Sequence, residues 1–84
     1  MIRKTFNLRE GTGLHSRVAA QFVKITSKFK SDIFLEKKNM KLNAKSIMGI
    51  LSTGITGGED IEITAEGEDE EKAMEAIEKF LNEL

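Results

Sequence analysis

Residues 60–84 read DIEITAEGEDEEKAMEAIEKFLNEL. The first seven alternate. Ile61, Ile63 and Ala65 fall on one side and Glu62, Thr64 and Glu66 on the other, the period of two that gives a strand one buried face. Near residue 69 the period changes, and Ala73, Ile77, Phe80, Leu81 and Leu84 recur at helical spacing. Asp69 stands where an N-cap belongs, with Glu70 and Glu71 in the first turn, where the helix dipole favours negative charge. A half-buried strand followed at once by an amphipathic helix calls for a layer of helices on one face of a sheet.

The rest of the chain extends this unit. Residues 2–8 read as a strand with Ile2, Phe6 and Leu8 on one face and Lys4 interrupting the alternation. Residues 9–15 form a polar turn in which Gly11 and Gly13 offer unusual backbone angles. A helix is expected over 16–28, with Val18, Phe22, Ile25 and Phe29 forming a stripe. Residues 32–37 alternate Ile33 and Leu35 against Phe34 and Glu36 as a second strand. Lys38-Asn39 suits a tight turn because Asn tolerates left-handed angles, and 40–43 make a short third strand. Ser46 caps a short helix, IMGIL, which Gly54, Gly57 and Gly58 end. The order is β-α-β-β-α-β-α, an α+β arrangement with helices on one face of a mostly antiparallel sheet.

The chain has 84 residues, enough for one domain over 1–84 with a modest core and no roomy catalytic interior. It has no cysteine, which removes disulfides and thiolate metal sites and fits a reducing compartment. No stretch approaches a membrane span, and residues 1–8 lack the apolar region of a signal peptide. A cytoplasmic protein without membrane insertion is expected. The net charge of −1 hides an asymmetry: residues 1–45 hold 11 Lys/Arg and 3 Asp/Glu, residues 46–84 hold 2 and 11. Plain solvated faces would read this way, as would a basic surface that steers an acidic partner. Nucleic acid is a poor fit. The aromatics are five Phe with no Tyr or Trp, and the GxxG at 54–57 lacks the basic neighbours of a backbone clamp.

His15 is the only histidine and stands where the glycine-bearing loop meets a helix. With no second His or Cys, neither a metal site nor a bound cofactor is expected. A helix N-terminus presents free N–H groups and partial positive charge, which together suit a phosphoryl group. The donors here are the amides of residues such as Ser16 and Arg17. The same dipole opposes protonation of the imidazole and keeps a ring nitrogen nucleophilic. Arg17 adds a fixed positive charge beside the product dianion. No acid–base pair accompanies His15 by spacing, so the chain reads as a protein substrate turned over by its partners, not a free-standing enzyme.

GTGLHSRVAAQFV at 11–23, NAKSIMGILS at 43–52 and AEGEDEEKAMEAI at 65–77 resemble three segments of HPr, the histidine-containing phosphocarrier of the bacterial phosphoenolpyruvate:sugar phosphotransferase system. The resemblance runs over essentially the whole chain. It implies an open-faced β-sandwich, a four-stranded antiparallel sheet covered on one face by three helices. It implies that Enzyme I phosphorylates His15 on a ring nitrogen, that Arg17 is the active-site arginine, and that the phosphoryl group passes to sugar-specific EIIA domains. One position departs: the family commonly has proline where this chain has Val18, which restores an N–H and loosens the first turn.

Ser46 reads as a helix cap on its own residues. The resemblance makes it a regulatory phosphorylation site for HPr kinase/phosphorylase, with a catabolite regulator as a further partner. Ile47, Met48 and Leu51 crowd a helix too short to bury them all, and Met is adaptable. Core residues would read alike, but the expectation here is an exposed docking patch, with Ile50 inward, forming small transient complexes of a monomer. The competing reading is an HPr-like regulatory module that acts mainly on a transcription regulator or in a non-sugar phosphorelay. The intact His15 argues against a purely regulatory form.

Overall fold

The computed structural model describes residues 1–8, 16–53 and 58–84. The elements are β1 (Ile2–Asn7), α1 (Ser16–Thr26), β2 (Asp32–Lys37), β3 (Met40–Asn43), α2 (Ile47–Thr53), β4 (Asp60–Glu66) and α3 (Glu70–Asn82). The strands form one antiparallel sheet in the order β1-β4-β2-β3. Register decides which face is buried. Ile2, Ala65 and Ile33 lie opposite one another, and Ile63 is flanked by Lys4 and Leu35. Their apolar members join Ala19 and Phe22 of α1, Ile50 of α2, and Ala73, Met74, Ile77 and Leu81 of α3 in a single core. Each large apolar side chain buried there contributes roughly 1.5–3 kcal/mol. The Phe22 and Phe80 rings meet at 6.1 Å between centroids, which locks α1 to α3.

Two residues whose burial departs from the face they occupy have clear reasons. Lys4 shares the inner face with Ile63, but β1 is an edge strand. Its stem runs past the edge and its ammonium bonds Glu78 on α3 at 2.7 Å. Thr64 lies on the outer face as expected, yet it is only 6% exposed. Arg3 and Phe34 flank it on the neighbouring strands, and the Lys41 ammonium lies 4.6 Å over the Phe34 ring.

Helix α1 stops at Thr26, two residues short of the expected end. The Lys28 and Phe29 amides turn back to carbonyls three residues earlier, Ile25 and Thr26, and so tighten and close the helix. Its most buried members are Ala19, Phe22 and Thr26, while Val18 and Phe29 are partly buried. In the β2–β3 turn the left-handed residue is Lys38, φ 56°, not Asn39. A two-residue hairpin needs positive φ at its first central position, whatever residue the sequence offers there. The Gly11 and Gly13 turn lies outside the described residues, as do Gly54 and Gly57; Gly58 does take a positive φ, 88°.

Asp69 precedes α3 as expected, but its side chain makes no cap bond to the helix. It reaches back to the α1–β2 connection. Oδ2 accepts the Lys30 amide at 2.8 Å, and Oδ1 accepts the Ser31 amide at 2.9 Å and the Ser31 hydroxyl. Glu70 also reaches back out of the helix, accepting the Gly67 amide at 3.1 Å and holding the Met1 ammonium at 2.9 Å. These donors, the Ser31 hydroxyl foremost, lower the Asp69 pKa to about 2, and the Gly67 amide lowers that of Glu70. A carboxyl whose folded pKa is depressed adds stability that is complete above its unfolded pKa, about 4, and fades as pH falls through the folded value. Asp69→Asn offers one acceptor oxygen where two are used. It should therefore melt below the wild type at pH 7, with the gap closing between about pH 4 and pH 2. Thermal melts of both proteins at pH 7, 4, 3 and 2 check this; a gap that stays constant across the series would mean that the Asp69 charge is not what the loop recognises.

Candidate functional site

Helix α1 begins at Ser16, and both Ser16 and Arg17 are exposed. His15 lies outside the described residues, one position before the helix. The helix start is held in place from behind. Val18 packs partly into the core, and Ala19 and Phe22 are fully buried one turn further on. At the far end the Thr26 hydroxyl donates to the Ala44 carbonyl at 2.8 Å, and the Lys45 ammonium donates to the Phe29 carbonyl at 2.7 Å. Arg17, Gln21, Lys24 and Lys28 are all exposed at helical spacing, so the outer side of α1 is a largely basic stripe that starts beside residue 15. The Val18 amide falls in the first turn, before intrahelical partners begin. Val18→Pro should therefore keep the fold and gain roughly 0.5 kcal/mol through a less flexible unfolded chain. A melting temperature clearly below that of the wild type would show that the Val18 side chain's packing outweighs that gain.

The second cluster surrounds α2. Asn43 Oδ1 accepts the Lys45 amide at 2.9 Å, and the Ser46 amide reaches the Asn43 carbonyl at 3.0 Å, turning the chain into the helix. Ser46 Oγ accepts the Gly49 amide at 3.2 Å, the N-cap bond its position implies. Ile50 is fully buried, whereas Met48 is 75% exposed and Ile47 and Leu51 are 37% and 38% exposed. Seven residues give α2 only one inward apolar anchor, and its other apolar side chains face solvent. Sequence reasoning missed the residues that tie α2 to α1. No local pattern marks Thr26 or Lys45 as a tie between the two helices, and their partners are 18 and 16 residues away.

Among the described residues there is no group of three or more His, Cys, Asp or Glu placed to hold a metal ion, and no helix is long and apolar enough to cross a membrane. An open groove of about 510 Å³ runs from Phe29 along Lys72, Glu75, Ala76 and Lys79, and none of the candidate site residues lines it.

A family model described as the PTS HPr component phosphorylation site matches residues 2–83. The chain belongs to the HPr family. HPr-family relatives are similar over nearly their full lengths. The HPr-like protein Crh of Bacillus subtilis (strain 168) is 42% identical over 83 residues, 99% of this chain and 98% of Crh. Among solved structures, HPr-C-His from Thermoanaerobacter tengcongensis superposes with a TM-score of 0.93 at 48% identity, covering 98% of this chain and 92% of that one. A crystal structure of B. subtilis Crh, described as a dimer with a swapping domain, matches with a TM-score of 0.78 at 42% identity over 99% and 95% of the two chains. The four-stranded antiparallel sheet with three helices in the order β-α-β-β-α-β-α is thus the HPr fold, and the chain is an HPr-family phosphocarrier.

Proposed function

We propose that this chain, a single domain over 1–84, is a cytoplasmic phosphocarrier that takes a phosphoryl group onto a ring nitrogen of His15 from phospho-Enzyme I and passes it to EIIA domains of sugar transport. The observation that carries the reading is an exposed helix start. Ser16 and Arg17 open α1 directly after the lone histidine, with a basic stripe behind them and an apolar patch on the adjoining α2. The neutral imidazole nitrogen attacks phosphorus as the bond to the donor breaks. The amides of Ser16 and Arg17 and the Arg17 guanidinium receive the phosphoryl oxygens. Protonation of the other ring nitrogen lets neutral imidazole leave in the onward step, as the N–P bond breaks and the phosphoryl group goes to the acceptor. Ile47, Met48 and Leu51 form the docking area, too small for a long-lived complex and suited to a carrier that must leave each partner. Incubation with Enzyme I and phosphoenolpyruvate should give one acid-labile phosphate per chain, readable by mass spectrometry. A chain that stays unmodified would overturn this reading.

A second reading follows from the Crh relatives: a regulatory module that acts through Ser46 on a transcription regulator. The two readings part at His15, which a regulator working only through Ser46 does not need. Assembly does not separate them, because dimers are described both for Crh and for an HPr of Thermoanaerobacter tengcongensis; this chain is expected to run as a monomer on sizing.

In both readings Ser46 is the target of HPr kinase/phosphorylase. Its hydroxyl sits at the edge of the docking patch and already caps α2. Ser46→Asp should keep the fold, because Asp accepts the same amide and suits the helix dipole. The new charge would repel the acidic partner that the basic stripe attracts. Phosphorylation by Enzyme I should slow on the order of 10-fold at low salt and recover part of that as salt rises. Stopped-flow rates across a salt series test it, and a variant with wild-type rates would leave Ser46 as a helix cap alone.

A further inference from the structure

The chain carries no Cys, Trp or Tyr, so its four Met thioethers are its softest side chains toward peroxide. They occupy very different places. Met74 is 2% exposed in the core, Met40 is half-exposed at the start of β3, Met1 is exposed at the end of the chain, and Met48 projects furthest, 75% exposed in the middle of the apolar patch. We propose that Met48 is a reversible oxidation site at which hydrogen peroxide switches the α2 docking patch off. The inference rests on the docking role given to that patch above.

The chemistry balances simply. A sulfur lone pair attacks one peroxide oxygen, the S–O bond forms and the O–O bond breaks, and water leaves. The thioether is oxidised by two electrons and the peroxide is reduced to water. A dithiol-dependent sulfoxide reductase reverses it, returning the thioether with a disulfide and water. Fold and docking respond differently. In the free chain the new S=O group stands in solvent, the buried side chain of α2 is Ile50, and Met48 contributes nothing to the core cluster. When a partner closes over Ile47, Met48 and Leu51, the oxygen must lose its water without a partner chosen for it, and a buried unsatisfied polar group is unfavourable.

The experiment treats the purified chain with hydrogen peroxide, maps added oxygen by peptide mass spectrometry, and measures binding to Enzyme I by NMR titration. Met48 sulfoxide should accumulate while Met74 is spared, the melting temperature should hold, and the Kd should rise roughly 10-fold. Sulfoxide reductase with a dithiol should restore it. In Met48→Leu the ratio of treated to untreated Kd should be near one, whereas Met40→Leu should keep the full rise. Sparing of Met48, an unchanged Kd in the Met48 sulfoxide, or a rise that persists in Met48→Leu overturns the proposal. Because binding is read directly, a chain that binds Enzyme I yet takes no phosphate would sink the phosphocarrier reading and leave this one standing.

Discussion

His15→Ala should take up no phosphate from phosphoenolpyruvate and Enzyme I, and should melt within a few degrees of the wild type. The loss is expected to be complete because nothing else in the chain can stand in. There is no second histidine and no cysteine, and a serine hydroxyl is a poor nucleophile without a base beside it. Acid lability separates the outcomes, since a phosphate on one imidazole nitrogen leaves once the other ring nitrogen is protonated and a Ser46 phosphate ester survives. The fold should hold because α1 is anchored elsewhere. Ala19, Phe22 and Thr26 are buried, the Phe22 ring meets Phe80, and the Thr26 hydroxyl is fastened to Ala44. Position 15 gives up little as a cap, because His is not among the residues favoured there. Radiolabelled phosphoenolpyruvate and a thermal melt on the same preparation decide the matter. An acid-labile label on His15→Ala would move the acceptor elsewhere, and a collapsed melt would mean that the imidazole has a structural partner.

Legibility in the sequence followed the range of the interactions. The strands at 32–37, 40–43 and 60–66 coincide with β2, β3 and β4, because a period of two is written in neighbouring residues. Ser46, Ile50 and the exposed Ile47, Met48 and Leu51 were readable for the same reason: a cap and its short helix are local. Long-range features were not. Asp69 is a sound N-cap by sequence, and only the fold brings Ser31, 38 residues away, into reach of its carboxylate. Met74 falls outside the expected stripe of α3 but is fully enclosed, since a helix that packs against both the sheet and α1 buries more than one narrow line. The Lys38 turn failed on a different ground. Hairpin geometry chose the residue that had to take positive φ and passed over the one better suited to it. His15 stands out in the sequence because it is alone and precedes a helix, whereas the Thr26 and Lys45 bonds that steady that helix join segments far apart in the chain.

Among the described glycines, Gly67→Ala should be the most damaging change. Gly67 links β4 to α3 with φ at +154°, a conformation that L side chains rarely adopt. A Cβ there would stand 2.7 Å from both the Cα and the Oγ of Ser31 and 3.0 Å from its Cβ. The clash with the Ser31 main chain is the decisive one, because backbone cannot swing aside as a side chain can. Ser31 is itself fully buried, and Asp69 grips its amide and hydroxyl, so the 30–31 segment has no slack. Relief must come from pulling the two connections apart, which breaks the Asp69 bonds, or from bending the Gly67 backbone, which disturbs the Gly67 amide's bond to Glu70. Backbone strain of about 1–3 kcal/mol and overpacking of similar size together remove about 2–6 kcal/mol, a large share of the stability of so small a domain. At about 4–8 °C per kcal/mol, the melting temperature should fall by roughly 10 °C or more. Adding Ser31→Ala should not rescue the variant, since the main-chain clash remains and the hydroxyl's bond to Asp69 is lost. Calorimetry on the single and double variants checks both statements. If Gly67→Ala melts within about 3 °C of the wild type, a shift worth less than about 1 kcal/mol, the two connections yield easily and the Ser31–Asp69 junction is not the rigid corner described.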